Sequence, residues 1–202
     1  MNFLLKLGLM NVTRDAAYDL MTEWTQSESL RKHMLAVETA VLAYADKYDG
    51  DKELWAAAAL LHDFDYEKHP DIGPDGHPMV GVEHLRQLGY PEEVLEAILG
   101  HADFTGVPRK TDLAKVLYAC DEITGLITAA VLVRPDKDIA NQTLKSLKKK
   151  FKDKAFARGV NREEVKEGAE ALGVDLWEHI AFVLEAMQNR AGVLGLDGRL
   201  AA

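Results

Sequence analysis

Cysteine is nearly absent. Cys120 is the single one in 202 residues, so no disulfide can close within the chain and nothing points to an oxidising compartment. Long apolar runs are missing too. Met1–Met10 is apolar apart from Lys6 but too short to span a bilayer. It also lacks a small-residue cleavage site behind a proper apolar region, so it is not read as a secretion signal. Positive charge is in deficit: 24 Lys and Arg against 33 Asp and Glu leave a net charge of −9. That balance argues against a nucleic-acid binder, specific duplex binding included, while allowing a local basic patch to meet phosphate. Strand-like alternation and internal repeats are absent, and the one biased segment is a run of lysines. With 48% hydrophobic and 28% charged residues, the chain has the balance of a soluble globular protein. Its length suits one sizeable domain, or one domain with an extension. The cytoplasm is the expected compartment, with no membrane partner.

Helical periodicity is what the sequence does contain. Thr13 is a candidate N-cap for a helix from Arg14 to Trp24. After a polar break, a long helix from about Leu30 to Tyr48 carries the stripe Leu30, Met34, Val37, Val41, Tyr44 and Tyr48. His33 lies beside the stripe, and Gly50 is the expected stop. Asp51 opens Lys52–His62, which is apolar almost all round and is the expected buried helix. Pro70, Gly73, Pro74 and Gly76 mark a loop from Glu67 to Gly76, a candidate rim for a site. Shorter helices run from Pro78 to Leu88 and from Pro91 to His101. Asp112 is the expected cap of a long helix to Val133, with Asp121 on its inner line. Lysine-rich Asn141–Lys154, an Asn161-capped helix to Leu172 and an Asp175-capped helix to Arg190 follow. Residues 192–198 read as a frayed tail. The expected division is an extension at 1–12, a metal-binding helical domain at 13–134, a basic helical extension on the same core at 135–190, and a tail at 191–202.

The stretch Leu60 to Tyr66 ends an apolar run in His62-Asp63. A buried imidazole and carboxylate need partners, either hydrogen bonds from nearby backbone or a metal ion. Helix phase brings His33, His62, Asp63, His77, His101 and Asp121 inward or to helix ends from five segments, as in metal sites of helical bundles. Asp121, in the middle of an apolar helix, is costly without a cation. Mixed imidazole and carboxylate donors suit one or two ions of Mn, Fe, Ni, Co or Zn better than Ca, with Mg possible at an exposed site. His84 has a phase that rivals His77. His69 and His179 read as an exposed loop residue and a packing residue. Cys120 reads as core.

A histidine, then His62-Asp63 closing an alanine-rich helix, then Asp121-Glu122-Ile123-Thr124-Gly125, resembles the HD-domain metal-dependent phosphohydrolase superfamily over about Leu30 to Val133. The resemblance implies an all-α HD helical bundle. It makes His33, His62, Asp63 and Asp121 the core metal ligands. His77, ahead of Pro78 and Gly81, and His101, after Ala97-Ile98, match the extra histidines of members that hold a second metal. Lys148 to Lys154, Phe156-Ala157-Arg158 and Asn161-Arg162-Glu163 look like the C-terminal extension of small bacterial HD proteins of the HDIG type. An acidic helper found three residues after the aspartate in some members falls on Tyr66 here, which leaves the general acid open.

These residues predict hydrolysis of a phosphoric ester or anhydride by metal-activated water, the substrate being a nucleotide or another small phosphorylated metabolite. Asp63 would bridge two ions. Asp65 or Glu67 could orient water or protonate the leaving oxygen, although Asp65 also suits support of a ligand histidine. Lys148, Lys152, Arg158 and Arg162 are candidate phosphate contacts, against the alternative of a solvated face. Three other readings use the same residues: a di-iron oxygenase of the HD type, a metal- or nucleotide-binding regulatory module without turnover, and a metal site for stability alone. Oligomeric state is not legible.

Overall fold

The computed structural model describes residues 12–201; the proposed N-terminal extension, residues 1–12, lies outside them except for Val12. Among the described residues there are ten α-helices and no strand, which makes the fold the expected all-α bundle. The helices are α1 (Arg14–Trp24), α2 (Glu28–Tyr48), α3 (Lys52–Leu61), α4 (Met79–Gln87), α5 (Glu92–His101), α6 (Asp112–Leu132), α7 (Leu144–Lys152), α8 (Arg162–Ala171), α9 (Leu176–Asn189) and α10 (Ala191–Leu194). None is long and apolar enough to cross a membrane.

Helix starts follow side-chain chemistry. Thr13, Asp51, Asn161 and Asp175 accept backbone N–H groups of the first turn, as their sequence positions predict. Three ends differ from expectation. Thr111 caps α6, and Asp112 sits in its first turn, where the helix dipole favours it. Asp49 rather than Gly50 takes the left-handed conformation that closes α2 (φ 55°). The lysine-rich helix is shorter than Asn141–Lys154: Thr143 caps it, and Asn141 closes a separate turn at Ile139–Asn141.

The core is continuous from Val12 to Leu196. The alanine-rich α3 packs against α1, α2 and α5, and α6 packs against α2, α5, α8 and α9. Small residues set a close crossing: a Cβ on Gly168 of α8 would lie 2.6 Å from the Cα of Ala119 in α6. Glu38 is buried on α2, where Arg14 Nε donates to it at 2.6 Å, and Arg190 from the far end of the chain lies 4.0 Å away.

The segment expected to fray is folded. Leu194 and Leu196 are buried. Ile139 N–H donates to the Leu196 carbonyl at 2.8 Å, and Lys32 Nζ donates to the Val193 carbonyl at 2.6 Å. Apolar side chains at alternate positions and free backbone partners on the 137–139 segment hold residues that glycine content alone marks as loose.

Candidate metal centre

Two of the histidines stand at helix C-termini, where the last carbonyls have no partner inside the helix. His62 caps α3, and its Nδ1–H donates to the Ala59 carbonyl at 2.7 Å. His101 ends α5 and donates through Nδ1 in the same way to the Ile98 carbonyl, again three residues back. His77 follows the loop after α3, and its Nδ1–H donates to Asp65 Oδ1 at 2.7 Å. The other oxygen of Asp65 accepts the backbone N–H of Gly81 at 2.7 Å. The approach is tight enough that a Cβ on Gly81 would stand 2.7 Å from the Asp65 carboxyl carbon. Three rings are thereby fixed in the tautomer that leaves Nε2 bare.

Those nitrogens converge. His77 Nε2 faces His101 Nε2 at 3.2 Å, and His62 Nε2 faces His33 Nε2 at 3.3 Å. Asp63 stands between the pairs. Its Oδ1 is 3.3 and 3.6 Å from His77 and His101, and its Oδ2 is 3.6 and 3.7 Å from His62 and His33. Asp121 Oδ1 completes the second pair, 3.0 Å from His33 and 3.6 Å from His62. The six residues fall into two groups that could each hold an ion: His33, His62 and Asp121, and Asp63, His77 and His101.

The donor set fits divalent metal. Two ligand atoms bound at about 2.1 Å to one ion lie roughly 3.0–3.4 Å apart for angles between octahedral and tetrahedral. Two bare imidazole nitrogens at 3.2 Å repel unless a cation lies between them. The field points the same way. Burial opposes a charge on His62, yet Asp63 and Asp121 raise its pKa to about 9. Burial pushes Asp63 and Asp121 up, and the facing imidazoles bring both below the usual carboxylate range. The cluster demands positive charge, which a divalent ion supplies in place of a proton.

A cavity of about 460 Å³ opens over the cluster. Its walls include Tyr66, Ile72, Phe104, Asp103, Glu122 and Glu164 besides the ligand-type residues, and, among the described residues, no Lys or Arg. Burial, reinforced by Asp121, raises the pKa of Glu122 to about 7, and one of its oxygens accepts Asn161 N–H at 2.9 Å. Sequence reasoning passed over Glu122 although it adjoins Asp121. Phe104 and Glu164 gave no signal, because only the packing of α5 and α8 beside α6 brings them to the cavity.

Other expected site residues lie elsewhere. Asp65 is 1% exposed with both oxygens engaged, and it holds His77. Glu67 accepts the backbone N–H groups of Gln26 and Ser27, both at 2.8 Å, and so secures the start of α2. Lys152, Arg158 and Arg162 line a different cavity, beside Phe151 and Trp177, which shares no wall residue with the one over the cluster. Arg162 spends its terminal nitrogens on the carbonyls of Phe156, Ala157 and Val160, and Lys148 lies 5.0 Å from the Trp177 ring. Phe151 of α7 packs on Trp177 of α9 with ring centroids 5.5 Å apart, which sets Lys152, Arg158 and Arg162 along a separate cavity. His84 packs on Trp24 with ring centroids 4.6 Å apart, which resolves its rivalry with His77 as to place. His69 is half-buried beside the same tryptophan. His179 is buried between Tyr44 OH and the Ala119 carbonyl. Cys120 is buried, and burial raises its thiol pKa.

Residues 30–126 match a protein-family model described as HD domain. Ribonuclease Y of Cutibacterium acnes is 34% identical over 90 residues. The match covers 44% of this chain and 16% of that much longer relative. No solved structure matches the chain.

Proposed function

We propose, from the match of residues 30–126 to the HD-domain model, that the chain is a metal-dependent phosphohydrolase acting on a nucleotide or another small phosphorylated metabolite. The observation that carries this reading is the pair of facing imidazole couples with one oxygen of Asp63 directed at each. His33, His62 and Asp121 would hold one divalent ion, His77 and His101 the other, and Asp63 both. Bound there, such ions lower the pKa of water towards neutrality and stabilise charge on phosphoryl oxygens.

The chain's own groups do the rest. The Ala59 and Ile98 carbonyls and Asp65 hold three imidazoles in a fixed tautomer, so little reorganisation accompanies binding. Asp65 is buried with both oxygens engaged, and of the carboxyls that wall the cavity Glu122 adjoins Asp121 and has the pKa raised to about 7, which suits it to hand a proton to a leaving oxygen. Tyr66 and Phe104 are 43% and 47% exposed at the cavity and offer apolar surface to the organic part of a substrate. Phosphate charge is met by the metal-holding cluster and not by the lysine-rich segment.

The test is an assay of protein purified without chelator and supplemented in turn with Mn, Fe, Co, Ni, Zn and Mg. Release of inorganic phosphate from phosphomonoesters, or cleavage of cyclic nucleotides or dinucleotides to mononucleotides, is expected, falling by at least about a hundredfold in Asp63→Ala. Turnover of none of these by metal-loaded protein contradicts the reading. Oxygen consumption by a coloured, iron-loaded protein would move it to the oxygenase class.

A further inference from the structure

A second cavity adjoins the first. It measures about 570 Å³, within the range of small-molecule pockets. His33 and Gly125 line both cavities, so the two meet at the metal-ligand cluster. One wall is a stripe of α6. Gly125, Thr128, Ala129 and Leu132 follow Asp121 at helical spacing and lead about 16 Å away from it. The opposite wall is the first turns of α2, with Ser29 and Lys32. The third is the chain end that the sequence marks as loose, with Leu194, Leu196 and Leu200.

Three features of this cavity point to a ligand. Among the described residues Leu132 and Leu200 remain 42% and 51% exposed, large apolar side chains beside a cluster that attracts charge. The nearby cations are spent within the chain: Lys32 donates to the Val193 carbonyl, and Arg199 pairs with Asp197. Gly125, finally, is not required by packing. A Cβ there would meet one atom of Val160, at 3.8 Å. Glycine in a helix interior costs about 1 kcal/mol relative to alanine, and what its missing side chain provides is an open passage between the two cavities.

From this we infer that the second cavity takes the organic group of the substrate, and that this group is uncharged and largely apolar, with hydroxyls that Ser29 and Thr128 can meet. The inference rests on the phosphohydrolase reading and narrows it. The preferred substrate is a phosphate monoester of a bulky apolar alcohol, bound with its phosphate at the cluster and its organic group along α6. Polyanionic chains such as triphosphates are disfavoured, because neither cavity offers them an unpaired guanidinium.

The test is calorimetric titration of metal-loaded protein with inorganic phosphate and 1-naphthyl phosphate, and of metal-free protein with 1-naphthol. The wild type is expected to bind 1-naphthyl phosphate at least about tenfold more tightly than phosphate. Ala129→Phe, which fills the cavity, is expected to lose that gain and the naphthol site while keeping its affinity for phosphate. Leu200→Asp, at an exposed position that cannot unfold the core, should do the same. A gain that survives in both variants, or no gain in the wild type, overturns the inference. Naphthol binding by metal-free protein together with no phosphate binding by metal-loaded protein overturns the phosphohydrolase reading instead, and with it the assignment of the cavity to a phosphate ester.

Discussion

Asp65 is the residue on which the second half of the cluster depends. It is buried, takes no part in either cavity, and spends one oxygen on His77 Nδ1–H and the other on Gly81 N–H. Asp65→Asn keeps the shape but turns an NH2 group toward one of those two donors. The expected result is a loss of about 10–100-fold in affinity for one of two ions, with the fold retained and the other ion little changed. Chelator-competition titration measures this, and unchanged affinity for both ions would show that His77 needs no such support. At this scale the sequence was informative where chemistry is local. His62-Asp63 at the end of an apolar run and Asp121 inside an apolar helix announce themselves by the cost of burying them unpaired. The tautomers did not, since they depend on which carbonyl each ring folds back to. Glu67 misled because a carboxylate two residues from Asp65 looks equally available, and its true partners, the Gln26 and Ser27 amides, are 41 and 40 positions away.

Among the elements, helix ends do the positioning. His62 and His101 occupy the last turns of α3 and α5, where free carbonyls orient the rings and the negative end of the helix dipole favours a cation. His33 comes from the second turn of α2 and Asp121 from the middle of α6, two helices that pack together. Periodicity made most of these helices legible, because each buries one stripe. What it could not reveal was that α7 packs on α9, which sets Lys152, Arg158 and Arg162 along a cavity other than the one over the cluster. Gly168 offers a test of the packing that fixes α8 beside α6. Gly168→Val drives a side chain into the Ala119 backbone and is expected to cost about 1–3 kcal/mol, read as a lower midpoint in urea. Metal content should not change, because neither metal group lies on α8. An unchanged midpoint would mean that the two helices can part freely at this crossing.

Taken as a whole, the molecule surrounds an acidic and imidazole-rich cluster with an apolar bundle, and the segment at 191–201 walls the cavity beside it. The residues outside the HD match therefore shape the surroundings of the centre: Glu164 lines its cavity, and Leu194, Leu196 and Leu200 line the one beside it. That contribution could not be read in advance from a glycine-containing tail, because burial of Leu194 and Leu196 depends on partners from distant parts of the chain. The central claim is that the cluster holds two ions joined through Asp63. Metal content per chain, measured by inductively coupled plasma mass spectrometry after loading and desalting, tests it directly. The account predicts two ions in the wild type, one in His101→Ala, and fewer than one in Asp63→Ala. A wild type that retains no ion under any supplementation, or that holds one ion both before and after His101→Ala, would contradict it.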